Sequence, residues 1–161
     1  QSRSSAASDV YKRQGYGYGV WLIIEDDDWI KTTHVPHITV ACFMTYQDAY
    51  TLYSDILDIM MTSHFQVDVV NEIVDFDENV YPDDNNDLKA WGYNIDCDFW
   101  CFFRALSLVY KCNFSYEPHT TIEYNSNPDL FTKRKAPITK LNCKLVVANI
   151  NSNNPDEWRK I

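Results

Sequence analysis

Apolar and polar positions from Gly15 onward fall into two kinds of spacing. Val20-Trp21-Leu22-Ile23-Ile24 is a short unbroken apolar run, the pattern of a buried strand. His34 to Phe43 reads as a second strand, with Pro36 near its start, where a missing N–H is tolerated. The spacing then changes. Tyr46, Ala49, Tyr50, Tyr53, Ile56, Leu57 and Met60 recur at steps of three and four, which predicts a helix with one apolar face through about Met61. Thr45 is its expected N-cap, with Asp48 three positions on. Phe65 to Val80 predicts one or two strands, Pro82 to Asp87 a turn, and Leu88 to Cys97 a further strand. A second amphipathic helix is expected from Asp98 to about Tyr110. Tyr116 to Tyr124 is a strand entered through Pro118, Asn125 to Pro137 is loop-like, and Leu141 to Val147 is the last clear strand.

Two halves of the chain thus each hold a Pro-His strand and a helix, an internal repeat of organisation more than of sequence. The class is α+β with mainly antiparallel strands. Residues 15–161 are read as a single domain. Ser4 to Gln14, SSAASDVYKRQ, instead looks like a translated sequencing adapter from a shotgun assembly, and residues 1–14 are set apart from the fold. On that reading Gly15 need not lie near a natural start.

The chain has 161 residues, 45% hydrophobic and 15% aromatic, which is ample material for one core. Its formal charge is −9. The set-apart segment carries Arg3, Lys12 and Arg13 against Asp9, so the remainder is more acidic still. Basic residues are sparse apart from Lys133-Arg134-Lys135. A protein that grips a long duplex through its phosphates needs a basic surface, so any nucleic-acid ligand should be short or held by its end. The five cysteines form no CxxC pair and read as reduced thiols. Glu25-Asp26-Asp27-Asp28 reads as a solvated acidic loop. No apolar run is long enough to span a membrane, and a cytoplasmic protein is expected.

The candidate chemistry is duplicated. Pro36-His37-Ile38-Thr39-Val40 and Pro118-His119-Thr120-Thr121-Ile122 both read Pro-His-x-Thr-apolar. In a strand, residues i and i+2 face the same way. Each strand therefore offers one imidazole and one hydroxyl to one side. Two such strands brought together supply a proton acceptor, a proton donor and two hydroxyls for the non-bridging oxygens of a phosphodiester. Imidazole suits the work because its ordinary pKa lies near 6.5. No metal or cofactor is called for. His34 and His64 have no matching partner and read as surface or packing residues.

These paired motifs resemble the 2H phosphoesterase superfamily, which includes RNA 2′,3′-cyclic phosphodiesterases, LigT-like proteins and viral enzymes that destroy cyclic or 2′-5′-linked nucleotide signals. The resemblance spans roughly residues 16 to 150. It implies a bilobal fold, with two mainly antiparallel sheets flanking a central cleft and helices outside. It also implies His37 and His119 as catalytic residues, with His119 as base and His37 as acid, and Thr39 and Thr121 as phosphate ligands. Asn113 to His119 is similar to the family's approach to its second motif. Tyr124-Asn125 resembles the viral members, for which the setting would be the host cytoplasm. The arginine clamp of the bacterial members has no evident counterpart, which argues against long tRNA substrates. Trp91, Tyr124, Tyr18 and Trp21 are candidates to stack on a base. The expected ligand is a small nucleotide, a cyclic oligonucleotide or an RNA end. The competing expectation is a binding module that holds such a nucleotide without turning it over.

Overall fold

A computed structural model describes residues 15–79, 89–110, 117–125, 135–152 and 154–161. The adapter-like segment, the expected turn at 82–87, Cys112, residues 113–116 of the approach to the second motif, and Lys133 with Arg134 lie outside the described residues. The order is β1 (Tyr18–Ile24), β2 (His37–Met44), α1 (Tyr46–Met60), β3 (His64–Asn79), β4 (Lys89–Asp96), α2 (Trp100–Val109), β5 (His119–Asn125), β6 (Lys140–Asn149), a short 3-10 turn (Pro155–Glu157) and β7 (Arg159–Lys160). The class is α+β with a large antiparallel sheet, as the pattern predicts.

The strands form one hydrogen-bonded path, β2-β1-β6-β3-β4-β5, with β7 added to β6. Two separate sheets were expected; instead β6 and β3 pair from Phe65↔Cys143 to Asp68↔Lys140 and carry the ladder across the middle. Every pairing is antiparallel. Read from either end, the order is the same: a Pro-His strand, a glycine-bearing strand, then a long central strand.

The alternation of side chains divides the sheet into two faces. Val20, Leu22 and Ile24 of β1, Leu141, Cys143, Leu145 and Val147 of β6, and Tyr93 and Ile95 of β4 join one buried cluster with both helices. From α1 it takes Ala49, Leu52 and Ile56, and from α2 Trp100 and Phe103. The buried stripe of α1 is thus narrower than its spacing predicts. Tyr46 and Tyr50 lie outside it, exposed and stacked on one another at 6.2 Å. Thr45 does cap α1, its hydroxyl accepting from the Asp48 N–H at 3.1 Å. Helix α2 starts later than expected and without a side-chain cap.

The other face carries a smaller apolar cluster of Trp21, Cys42, Val146, Ala148 and Ile150, with Trp158 packed against it. The acidic loop is tied down. Asp26 accepts from the Asn142 N–H at 2.6 Å and from its side-chain amide at 3.0 Å. Among the described residues no helix is long and apolar enough to cross a membrane.

Candidate active site

β2 and β5 stand at opposite ends of the strand order, yet they touch. The sheet curls until its two margins meet, and the margins are the two Pro-His strands. The Thr120 hydroxyl donates to the His37 carbonyl at 2.8 Å, and His34 Nε2 donates to the Thr121 carbonyl at 2.8 Å. His37 and His119 are thereby brought into one neighbourhood, near enough that a charge on His119 would bear on His37.

Each histidine is set by the same local device. His37 Nδ1 meets the Val35 carbonyl at 2.7 Å, and His119 Nδ1 meets the Glu117 carbonyl at 2.8 Å. A carbonyl can only accept, so each Nδ1 carries the hydrogen. The lone pair of the neutral ring is then on Nε2 in both. The proline before each histidine is also held alike. The Pro36 carbonyl accepts from Ile24 N–H at 3.0 Å, and the Pro118 carbonyl from Ile95 N–H at 2.9 Å.

A glycine lets the neighbouring strand press against each motif. A Cβ on Gly19 would lie 2.4 Å from the Ala41 carbonyl oxygen, and one on Gly92 would lie 1.9 Å from that of Thr120. Both fall where the ladder shifts register, the usual mark of a bulge. Only a residue without a side chain fits such an approach.

The two settings differ in burial. His37 is 9% exposed, with the Trp21 ring stacked on it at 3.8 Å and 14°. Burial pushes the His37 imidazole down to about 3; the Val35 carbonyl opposes that shift, and His34 and His119 add to it. His119 is half-buried, with the Phe76 ring tilted against it at 4.4 Å. Thr39 and Thr121 follow their histidines on the same face and are both partly exposed.

The aromatic candidates separate. Trp21 is 1% exposed and gives its face to His37, leaving none for a base. Trp91 is 7% exposed, so it too is core rather than a stacking platform. Tyr18 belongs to the helix-side cluster and meets Tyr46 edge-on at 5.3 Å, on the other face from His37. Tyr124 is the candidate that stays at the site, half-buried and 5.8 Å from the His34 ring.

Four residues of the site were not anticipated: His34, Thr120, Phe76 and Trp158. His34 is no surface residue. It is 5% exposed and bonded across to the second motif. A signal was present in both motif neighbours: His34-Val35-Pro36-His37 places a second imidazole beside the first, and His119-Thr120-Thr121 holds a spare hydroxyl. Trp158 lies 6.3 Å from the His37 ring, its Nε1 donating to the Ser152 carbonyl at 2.7 Å. Nothing in its polar surroundings signalled that.

Among the described residues no group of three or more His, Cys, Asp or Glu side chains is placed to hold a metal ion. Burial pushes the Cys97 and Cys143 thiols up to about 12, so neither is poised as a thiolate. No family model matches the chain, and no curated protein matches it. The class of the site rests on its own residues.

Proposed function

We propose that the protein is a 2H-type phosphodiesterase that opens a phosphodiester of a small nucleotide or RNA end without a metal. The observation that carries this reading is the duplicated imidazole setting: two histidines on touching strands, each with Nδ1 held by a carbonyl two residues back. The matching strand order from either end of the sheet supports the bilobal 2H arrangement.

The chemistry follows from the pair. On a 2′,3′-cyclic phosphate, one neutral Nε2 takes a proton from water as the water oxygen bonds to phosphorus. The other ring, protonated, gives its proton to the ribose oxygen as the phosphorus–oxygen bond breaks. The product is a phosphomonoester with a free neighbouring hydroxyl. Thr39 and Thr121 donate to the non-bridging oxygens, where charge builds. The burial of His37 supports the reverse of the roles that the family resemblance implies. A ring held neutral suits the base, so His37 takes the proton and the more accessible His119 gives one. In cyclic dinucleotides and 2′-5′ oligoadenylates the neighbouring ribose hydroxyl would replace water, losing its proton to the base as its oxygen bonds to phosphorus, while the ribose oxygen of the broken phosphorus–oxygen bond leaves with the acid's proton. Cleaving them would make the protein an immune-evasion enzyme.

The test is a panel of 2′,3′-cyclic mononucleotides, cyclic dinucleotides and 2′-5′ oligoadenylates, incubated in EDTA with products separated by chromatography. Turnover of at least one class, lost in His37→Ala and in His119→Ala, is expected. A nucleotide recovered bound and unchanged would make the protein a binding module instead. Activity that vanishes in EDTA and returns with a divalent ion would overturn the mechanism.

A further inference from the structure

We propose that His34 is a positioning residue: with Thr120 it forms a two-bond clasp that sets how the two motif strands meet, and so how both Nε2 atoms align on one phosphodiester. The proposal rests on the reading of His37 and His119 as the reacting pair.

The strands that carry that pair are the two margins of the sheet, and the strand order contains no ladder between them. Backbone pairing therefore does not fix their spacing. Among the described residues, two side-chain bonds bridge them, one given from each side. Thr120, beside His119, donates its hydroxyl to the backbone of His37. His34, just before β2, donates Nε2 to the backbone of Thr121. The bonds cross in opposite directions, so each motif both gives and receives. Both donors are buried, His34 at 5% and Thr120 at 0% exposure, where solvent competes little.

The His34 ring is also boxed in. It meets His37 edge-on at 6.2 Å and 82°, and Tyr124 at 5.8 Å and 60°. Because the Thr121 carbonyl can only accept, the Nε2 proton of His34 is fixed. His34 thus presents the tautomer opposite to that of His37 and His119, a donor toward protein rather than an acceptor toward substrate.

A misplacement of about 1 Å at reacting atoms can cost about 10²-fold in rate. The clasp should therefore show more in turnover than in binding. The experiment compares His34→Ala, His34→Gln and Thr120→Val in the full chain. Glutamine keeps an N–H donor at similar reach, and valine keeps the shape of threonine without its hydroxyl. Three readouts are taken: kcat and KM on a 2′,3′-cyclic mononucleotide, the melting temperature, and the imidazole nitrogen resonances of His37 and His119 by NMR.

His34→Ala is expected to lower kcat by about 10²-fold with KM little changed. It should also move both imidazole signals, and His34→Gln should restore most of the rate and the signals. Should His34→Ala fail to fold, Thr120→Val carries the test with the same signature in smaller size. Unchanged kcat and unchanged signals in a folded variant would overturn the clasp. So would a glutamine variant as impaired as the alanine one. The NMR arm needs no turnover. Imidazole signals that respond as expected in a protein inert toward every substrate would sink the phosphodiesterase reading and leave the clasp standing.

Discussion

At the β2 end of the sheet, His37 lies beneath the Trp21 ring with 9% of its surface exposed. At the β5 end, His119 is half-buried against a tilted Phe76. Their immediate geometry is nearly the same: a proline before each, a carbonyl on each Nδ1, a glycine in the next strand. What differs is the stack above the ring and the depth. One motif written twice therefore yields two imidazoles in unlike surroundings, and burial lowers the pKa of His37, because desolvation depends on neighbours contributed from elsewhere in the chain.

The strongest way to break the comparison is to remove either ring. His37→Ala and His119→Ala should each abolish nearly all turnover on the best substrate of the panel. The double variant should be scarcely worse than either single, because groups that act in one step are not additive. Measured kcat/KM for the three variants checks this; a fully active His37→Ala would end the paired assignment.

The hydroxyls come next. Thr39→Ala and Thr121→Ala should each cost about 10²-fold in kcat, the scale of one lost donor to a charged transition state. Equal losses would mean that the two ends share the phosphate evenly. A loss confined to one would show that the phosphate leans toward that end.

Acidity sharpens the contrast most directly. The folded His37 titrates near 3, against an ordinary value of 6.5. Between those values the unfolded chain takes a proton that the folded chain refuses. Stability from this group is therefore intact above about pH 6.5 and is lost progressively as pH falls toward 3, each unit being worth about 1.4 kcal/mol. Denaturant melts from pH 7 down to pH 4 should fall steeply for the native chain and less so for His37→Gln. Parallel slopes would show that His37 is not the group responsible.

The smallest effect concerns the glycines. Gly92→Ala places a methyl 1.9 Å from the Thr120 carbonyl oxygen, and Gly19→Ala places one 2.4 Å from that of Ala41. Each should destabilise the fold by about 1–3 kcal/mol, the usual cost of overpacking. The Gly92 variant should be the worse, since its contact is closer and falls on the clasp residue itself. Urea midpoints for the two variants rank them.

Much of this was legible in the chain. Strands and helices follow from spacings of two and of three to four, and Thr45 caps α1 as its side-chain chemistry requires. The candidate histidines stood out because the motif occurs twice. The aromatic partners were not. Trp91 lies on a strand flanked by polar residues, yet it is buried, and Tyr18 alternates onto the helix side. Period two decides which side a residue faces but not what covers that side. Trp158 and Phe76 reach the histidines through strand order and the curl of the sheet, which no local pattern encodes. His34 reads as surface or packing, and what it packs against was hidden for the same reason: its partner carbonyl lies 87 positions away.

The meeting of β2 and β5 has a second consequence. The margin of an open sheet exposes unpaired N–H and C=O groups, a template on which another chain can add a strand. Natural sheets guard such margins with charge, proline or a bulge. In this fold each margin covers the other, and prolines stand at the entry to both. The contact that brings two imidazoles together therefore also covers two margins open to strand addition, so the same few side chains bear on the site's geometry and on resistance to aggregation.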